Sequence, residues 1–64
     1  MTKLEYDSEV DVFYLRFGST VVVHSEEVRP GIVFDLDADD RIVAIEVLDA
    51  SNKLTPNAFA LAAK

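Results

Sequence analysis

The shortness of the gaps between strand-like runs constrains this chain more than any other feature. Runs of β-branched, aromatic and aliphatic residues are separated only by turn-forming groups around Ser8-Glu9, Gly18-Ser19, Arg29-Pro30-Gly31 and Ala38-Asp39-Asp40. A parallel pair needs a crossover of about a dozen residues or more, so gaps this short imply neighbouring antiparallel strands. The expected fold is α+β and mostly β: a five-stranded antiparallel β-meander with one short C-terminal helix packed on the sheet.

Strands are expected at about 3–7, 11–17, 20–28, 32–37 and 41–48. The first alternates, with Leu4 and Tyr6 on one side and Lys3, Glu5 and Asp7 on the other, the pattern of a half-buried strand. In the second, Phe13, Leu15 and Phe17 share a face, and the opposite face of Val12, Tyr14 and Arg16 is still too apolar for bulk water. Gly18-Ser19 suggests a hairpin into a third strand, with Val21 and Val23 facing one way and Thr20, Val22, His24 and Glu26 the other. Arg29-Pro30-Gly31 ends that strand, because proline offers no ladder donor. Residues 31–51 then spell a hairpin with an acidic turn. Ser51 can cap a short turn through Leu54. Thr55-Pro56 is a helix start for about 56–63, with Phe59 and Leu54 as its contacts to the sheet.

With 64 residues there is room for one domain, residues 1–64. A chain of this size buries only about 60% of its unfolded surface and needs a staple or a partner. It has no cysteine, so disulfides and thiolate metal sites are excluded and self-association is the expected remedy. Twelve acidic residues against six basic ones give a net charge of −6 and leave no basic cluster for phosphates, which argues against nucleic acid. The same charge suits a basic protein partner, although its plainer role is solubility. No basic-then-apolar leader and no run near the roughly 20 apolar residues of a spanning helix are present, so no membrane association and a cytoplasmic location are expected.

The combination Glu5-Tyr6-Asp7, Glu9, Asp11, Tyr14-Leu15-Arg16, Val28-Arg29-Pro30-Gly31-Ile32, Asp35-Leu36-Asp37, Ile42-Val43-Ala44-Ile45-Glu46-Val47-Leu48 and Ala50-Ser51 resembles the small prokaryotic family catalogued as domain of unknown function 2283. The resemblance spans roughly residues 3–51 and departs from the family's usual glycines near Asp40 and Ala44. It implies a compact β-rich domain and assigns no activity, cofactor or site residue.

On chemistry alone, the residues to weigh for metal are Asp35, Asp37, Asp39 and Glu46, which fall at positions 1, 3, 5 and 12 of a calcium-loop window. The window fails at position 6, where Asp40 stands in place of glycine, and its flanks read as strands. A solvated acidic turn is the plainer reading, and no metal or other cofactor is expected. His24 has Glu26 two residues along the same strand face, but Ser19, Ser25 and Ser51 lie in no nucleophile context. No catalytic residues are assigned. Both faces of strands two, four and five carry apolar side chains, more than one short helix can cover; a tightly curled monomer is one solution and a second chain is the other. The expected function is that of a non-enzymatic small acidic β-sheet module, a homodimer acting through self-association and protein-protein interaction. An antitoxin-like masking of a basic partner is a sharper version of that reading. A metal- or small-ligand-binding protein using the acidic hairpin is the alternative.

Overall fold

The computed structural model describes residues 2–62. Five strands, β1 (Lys3–Asp7), β2 (Val12–Arg16), β3 (His24–Arg29), β4 (Ile32–Leu36) and β5 (Ile42–Leu48), form one antiparallel sheet. A 3-10 turn at Ala50–Asn52 and the helix α1 (Pro56–Ala62) follow. The fold class is the expected one: mostly β, with a short C-terminal helix. Ala63, the last residue expected in that helix, lies outside the described residues.

The strand order is not that of a meander. It runs β1-β2-β5-β4-β3, so β5 lies between β2 and β4 and the expected β2–β3 hairpin is absent. Residues 17–23 instead carry the chain past two strands to the far edge, and β3 begins at His24 and not at Thr20. Three inter-strand steps span roughly 14 Å, and seven extended residues reach about 23 Å, so even this short connection can cross. Arg16 supports the crossing by donating from its guanidinium to Gly18 O and to Thr20 O, the latter at 3.0 Å. Phe17 N donates to Val43 O and Val23 N to Leu36 O, tying both ends of the connection to the β4–β5 hairpin. Two of its valines face outward, Val21 at 75% exposure and Val23 at 58%, while Val22 is half-buried.

The remaining turns follow local chemistry. Pro30-Gly31, with Gly31 at φ +81°, has the proline-then-glycine pattern of a type II turn. Between β4 and β5, Asp40 takes φ +62°, the conformation for which glycine was expected, in a three-residue loop closed by Asp37 N donating to Arg41 O. Aspartate tolerates that region better than most residues.

Pairing builds two cross-strand rows on one face: Tyr6, Phe13, Val47 and Ile32, and beside it Leu4, Leu15, Ile45 and Phe34. The helix lies against β1 over the first row. Phe59 makes edge-to-face contacts with Tyr6 at 4.7 Å and Phe13 at 6.0 Å between ring centres. Ala58, Phe59 and Ala62 share one side of α1 and pack, with Leu54, on the buried cluster of Phe13, Val47 and Ala50. Leu15 and Phe34 of the second row stay outside that cluster and half-buried. No helix among the described residues is long and apolar enough to cross a membrane.

Candidate functional site

Acidic side chains supply the chemistry of this chain, and the fold sorts them into three settings. The first is the β4–β5 turn. Asp37 Oδ1 accepts hydrogen bonds from Asp39 N at 2.8 Å and Arg41 N at 2.9 Å. The Arg41 backbone bond, aided by that of Asp39 and by the Arg41 charge, holds the Asp37 carboxyl below its ordinary range. Asp39 lies 3.8 Å from the Arg41 guanidinium. Asp40 faces His24 Nε2 at 3.3 Å, so the partner of the histidine is the turn aspartate and not Glu26. These acids are engaged in closing a hairpin.

The second setting ties opposite ends of the chain together. Asp11, at φ +57°, closes the β1–β2 turn and is half-buried. Its carboxylate accepts from Tyr6 Oη at 2.7 Å, Ser51 Oγ at 2.7 Å and Ser51 N at 3.1 Å, while its carbonyl accepts from Ala50 N at 3.0 Å. The Ser51 hydroxyl, then Tyr6, lower the Asp11 pKa, and Lys53 adds a favourable charge. The same bond to Asp11 raises that of Tyr6. A carboxylate held this firmly in its charged form is a weak base, so the Ser51 hydroxyl gains no nucleophilic activation from it. The arrangement pins the corner from which α1 departs.

The third setting is the face opposite the helix. Asp35 on β4 stands across from Ala44 on β5, and Glu46 is the next β5 residue on that face. Asp35 is 4% exposed and accepts from Ser25 Oγ on β3 at 2.6 Å. The Glu46 pKa is pushed up to about 6, chiefly by its hydrogen bond to the Asp35 carboxyl, then by burial and by the Asp35 charge. Two carboxyl groups facing each other resist ionising together, so Glu46 keeps its proton to higher pH than an ordinary glutamate, up to about 6. A register irregularity between Asp35 and Leu36 interrupts the regular alternation beyond Asp35.

The four metal candidates therefore divide. Asp35 and Glu46 come together, while Asp37 and Asp39 are committed to the turn. Among the described residues no group of three or more His, Cys, Asp or Glu side chains is placed to hold a metal ion. A shallow concavity of about 310 Å³ on the polar face is lined by Glu5, Asp7, Val10, Val12 and Tyr14, and Asp35 and Glu46 are not part of its wall. Sequence reasoning missed the Asp11 hub. The signal was faint: Tyr6, Asp11 and Ser51 all belong to the family-like pattern, but 40 positions separate the last two.

Residues 3–51 match the model of a family described as "Protein of unknown function (DUF2283)". The chain belongs to that family. The match takes in the whole sheet, the Asp11 hub and the Asp35–Glu46 pair, and ends before α1. A curated relative from Methanosarcina mazei, named "Putative hypoxanthine phosphoribosyltransferase", is 43% identical over 53 residues, which is 83% of this chain and 42% of that protein. The chain thus spans less than half the length of this relative. No solved structure matches the chain.

Proposed function

We propose that this domain is a non-enzymatic, self-associating β-sheet module in which two copies cover each other's open apolar rows. The observation that carries this reading is the row of Leu15 and Phe34, half-buried and outside the packed cluster, with Phe17 at 44% exposure next to it. The shape agrees. Extents of 33 × 26 × 18 Å describe a slab, and the radius of gyration of 11.8 Å exceeds the roughly 10.7 Å expected for this length. The accessible surface of 4565 Å² exceeds by roughly 500 Å² that of a compact monomer of 7.1 kDa. That excess approaches the 600 Å² or so that each partner gives to the smaller stable interfaces.

Self-complementarity favours a second copy over a foreign chain, since a two-fold contact sets the same patch against itself. The net charge of −6 does not oppose it. The apolar rows end in a single carboxylate, Glu26 across from Phe34, and the other sheet acids are on the opposite face or in turns. The outward acidic face suits a basic protein partner, the antitoxin-like version of this reading, by charge alone. Ligand binding through the acidic hairpin has less support, because Asp37 and Asp39 spend their oxygens on the turn.

Light scattering coupled to size exclusion tests the proposal. The wild-type chain should elute at twice its 7.1 kDa mass, and Phe17→Asp with Phe34→Ser should elute at 7.1 kDa with an unchanged far-ultraviolet spectrum. A wild-type particle that stays at the mass of one chain up to about 1 mM sinks the reading, since a stable interface of standard size binds far tighter than that.

A further inference from the structure

Ser25, Asp35 and Glu46 form a polar seam across three strands, β3, β4 and β5, on the face away from α1. The seam is the sole described site where a nearly buried carboxyl lies against another carboxyl. Among the described residues no cation forms an ion pair with it. From β2, Tyr14 stands across from Glu46 and Arg16 across from Ala44, but the Arg16 guanidinium is spent on Gly18 O, Thr20 O and Tyr14 Oη. From β1 the facing charges are Glu5 across from Tyr14 and Lys3 across from Arg16, and these two pair with each other at 3.5 Å. From β3 it is Glu27, across from Val33, which itself stands across from Glu46. The described ion pairs include neither Asp35 nor Glu46.

We propose that one proton shared by Asp35 and Glu46 clasps β3 and β4 to β5, and that its loss loosens that side of the sheet. The geometry supplies both states. With the proton, the Glu46 carboxyl on β5 can donate to an Asp35 carboxylate that Ser25 Oγ already reaches from β3. Without it, two negative charges oppose each other across the β4–β5 ladder, one of them nearly buried, and Glu27 adds a third. The sign follows from linkage. Glu46 is raised to about 6 from an ordinary 4.5, so its contribution is complete below about 4.5 and is lost as pH rises through 6. Because β4 and β5 also bear Phe34 and Ile45, the clasp acts on strands that hold the open apolar row, but it needs no second copy in order to operate.

Urea unfolding at pH 5.0 and 7.5, at a protein concentration where the mass is constant, tests the clasp. Histidine ordinarily titrates in this interval, so the comparison uses His24→Gln as its background. The background protein should lose about 0.5 M or more of its urea midpoint between pH 5.0 and 7.5. Adding Glu46→Gln, which keeps a donor facing Asp35 and cannot ionise, should remove that loss and raise the midpoint at pH 7.5. Carboxyl carbon resonances should give Glu46 a midpoint near 6, falling toward the ordinary value in Asp35→Asn. A midpoint that is flat or rising with pH, or a loss that persists in Glu46→Gln, overturns the proposal. Since unfolding is read on a species of fixed mass, a chain that proves monomeric would defeat the self-association reading and leave this test intact.

Discussion

Asp11 and the Asp35–Glu46 pair are carboxyl sites on two sides of one small sheet, and their environments drive them in opposite directions. Asp11 is surrounded by donors from Tyr6 and Ser51 and keeps its charge to unusually low pH. Glu46 meets another carboxyl and keeps its proton to about 6. The difference tracks packing. On the Asp11 side, α1 covers the first apolar row and Asp11 bonds the start of the sheet to Ser51; the Asp35 side lies on the face away from α1, where a hydroxyl and the paired carboxyls add to the backbone ladders. The closed side is therefore expected to carry most of the stability, and the open side to respond to conditions and to partners.

The closed side is most easily broken through Phe59, whose ring touches both Tyr6 and Phe13. Phe59→Ala should cost about 2–4 kcal/mol, the range for deleting a largely packed ring. A domain of this length has about 3–10 kcal/mol in total by the usual per-residue scale, so the loss is a large share of it and the melting temperature should fall steeply. Thermal melting followed at 218 nm and by tyrosine fluorescence reads this directly. An equal loss from a truncation on the open side would erase the contrast between the sides.

Asp11→Asn comes next and tests the donor-rich site itself. Asparagine accepts the positive φ but offers an amide hydrogen where Tyr6 or Ser51 already donates. The melting temperature at pH 7 should fall by roughly 5–10 °C. The sign of its pH dependence is fixed by the depressed pKa. The Asp11 contribution is present above about 3.8 and lost as pH falls through the lower folded value, so wild type and Asp11→Asn should converge in acid below 3.8.

Gly31 joins the two sides. A β-carbon there would stand 2.6 Å from Lys53 Nζ and 3.3 Å from Leu48 O, at φ +81°. Lys53 in turn donates to Leu48 O at 2.7 Å. Gly31→Ala should cost about 1–2 kcal/mol from backbone conformation alone, plus whatever is lost when Lys53 is displaced. In a Lys53→Ala background the collision with the lysine disappears, and the conformational part and the tight approach to Leu48 O remain. A double-mutant cycle in urea separates the two, and a complete rescue by Lys53→Ala would show that the backbone was never strained.

These cases also mark how far the sequence was legible. Alternation in residues 3–7 and apolar density in 42–48 point to strands because side-chain period and burial are local properties. The Thr55-Pro56 start and the Phe59 anchor were likewise legible, since capping and amphipathicity act over a few residues. The order of the strands was not. Gly18-Ser19 before three valines reads as a hairpin, but pairing depends on which partner is better satisfied, and Arg16 stabilises a crossing by bonding carbonyls that a neighbouring strand would otherwise have bonded. The carboxyl sites were hidden for the same reason. Asp35 and Glu46 meet across strands, and Asp11 meets Ser51 through a fold that had to exist first. The resemblance led to an expectation of glycine near Asp40; the structure shows why, since that position takes positive φ, which aspartate fills here.

The smallest expected effect lies within the β4–β5 hairpin and sets Asp37 against Glu46. Both were candidate ligands of one calcium loop, yet hydrogen bonding lowers the pKa of the first and raises that of the second. Asparagine at position 37 can still accept from the Asp39 and Arg41 amides, so Asp37→Asn should lower the melting temperature at pH 7 by no more than about 3 °C. Its dependence on pH should oppose that of Glu46→Gln. The loss from Asp37→Asn is present above about 3.8 and shrinks as acid protonates the wild-type group, whereas the gain from Glu46→Gln appears only as pH rises through 6. Melting both variants from pH 2.5 to 8 distinguishes these slopes. Parallel slopes would mean that net charge, and not the separate bonding of each carboxyl, governs how this chain responds to pH.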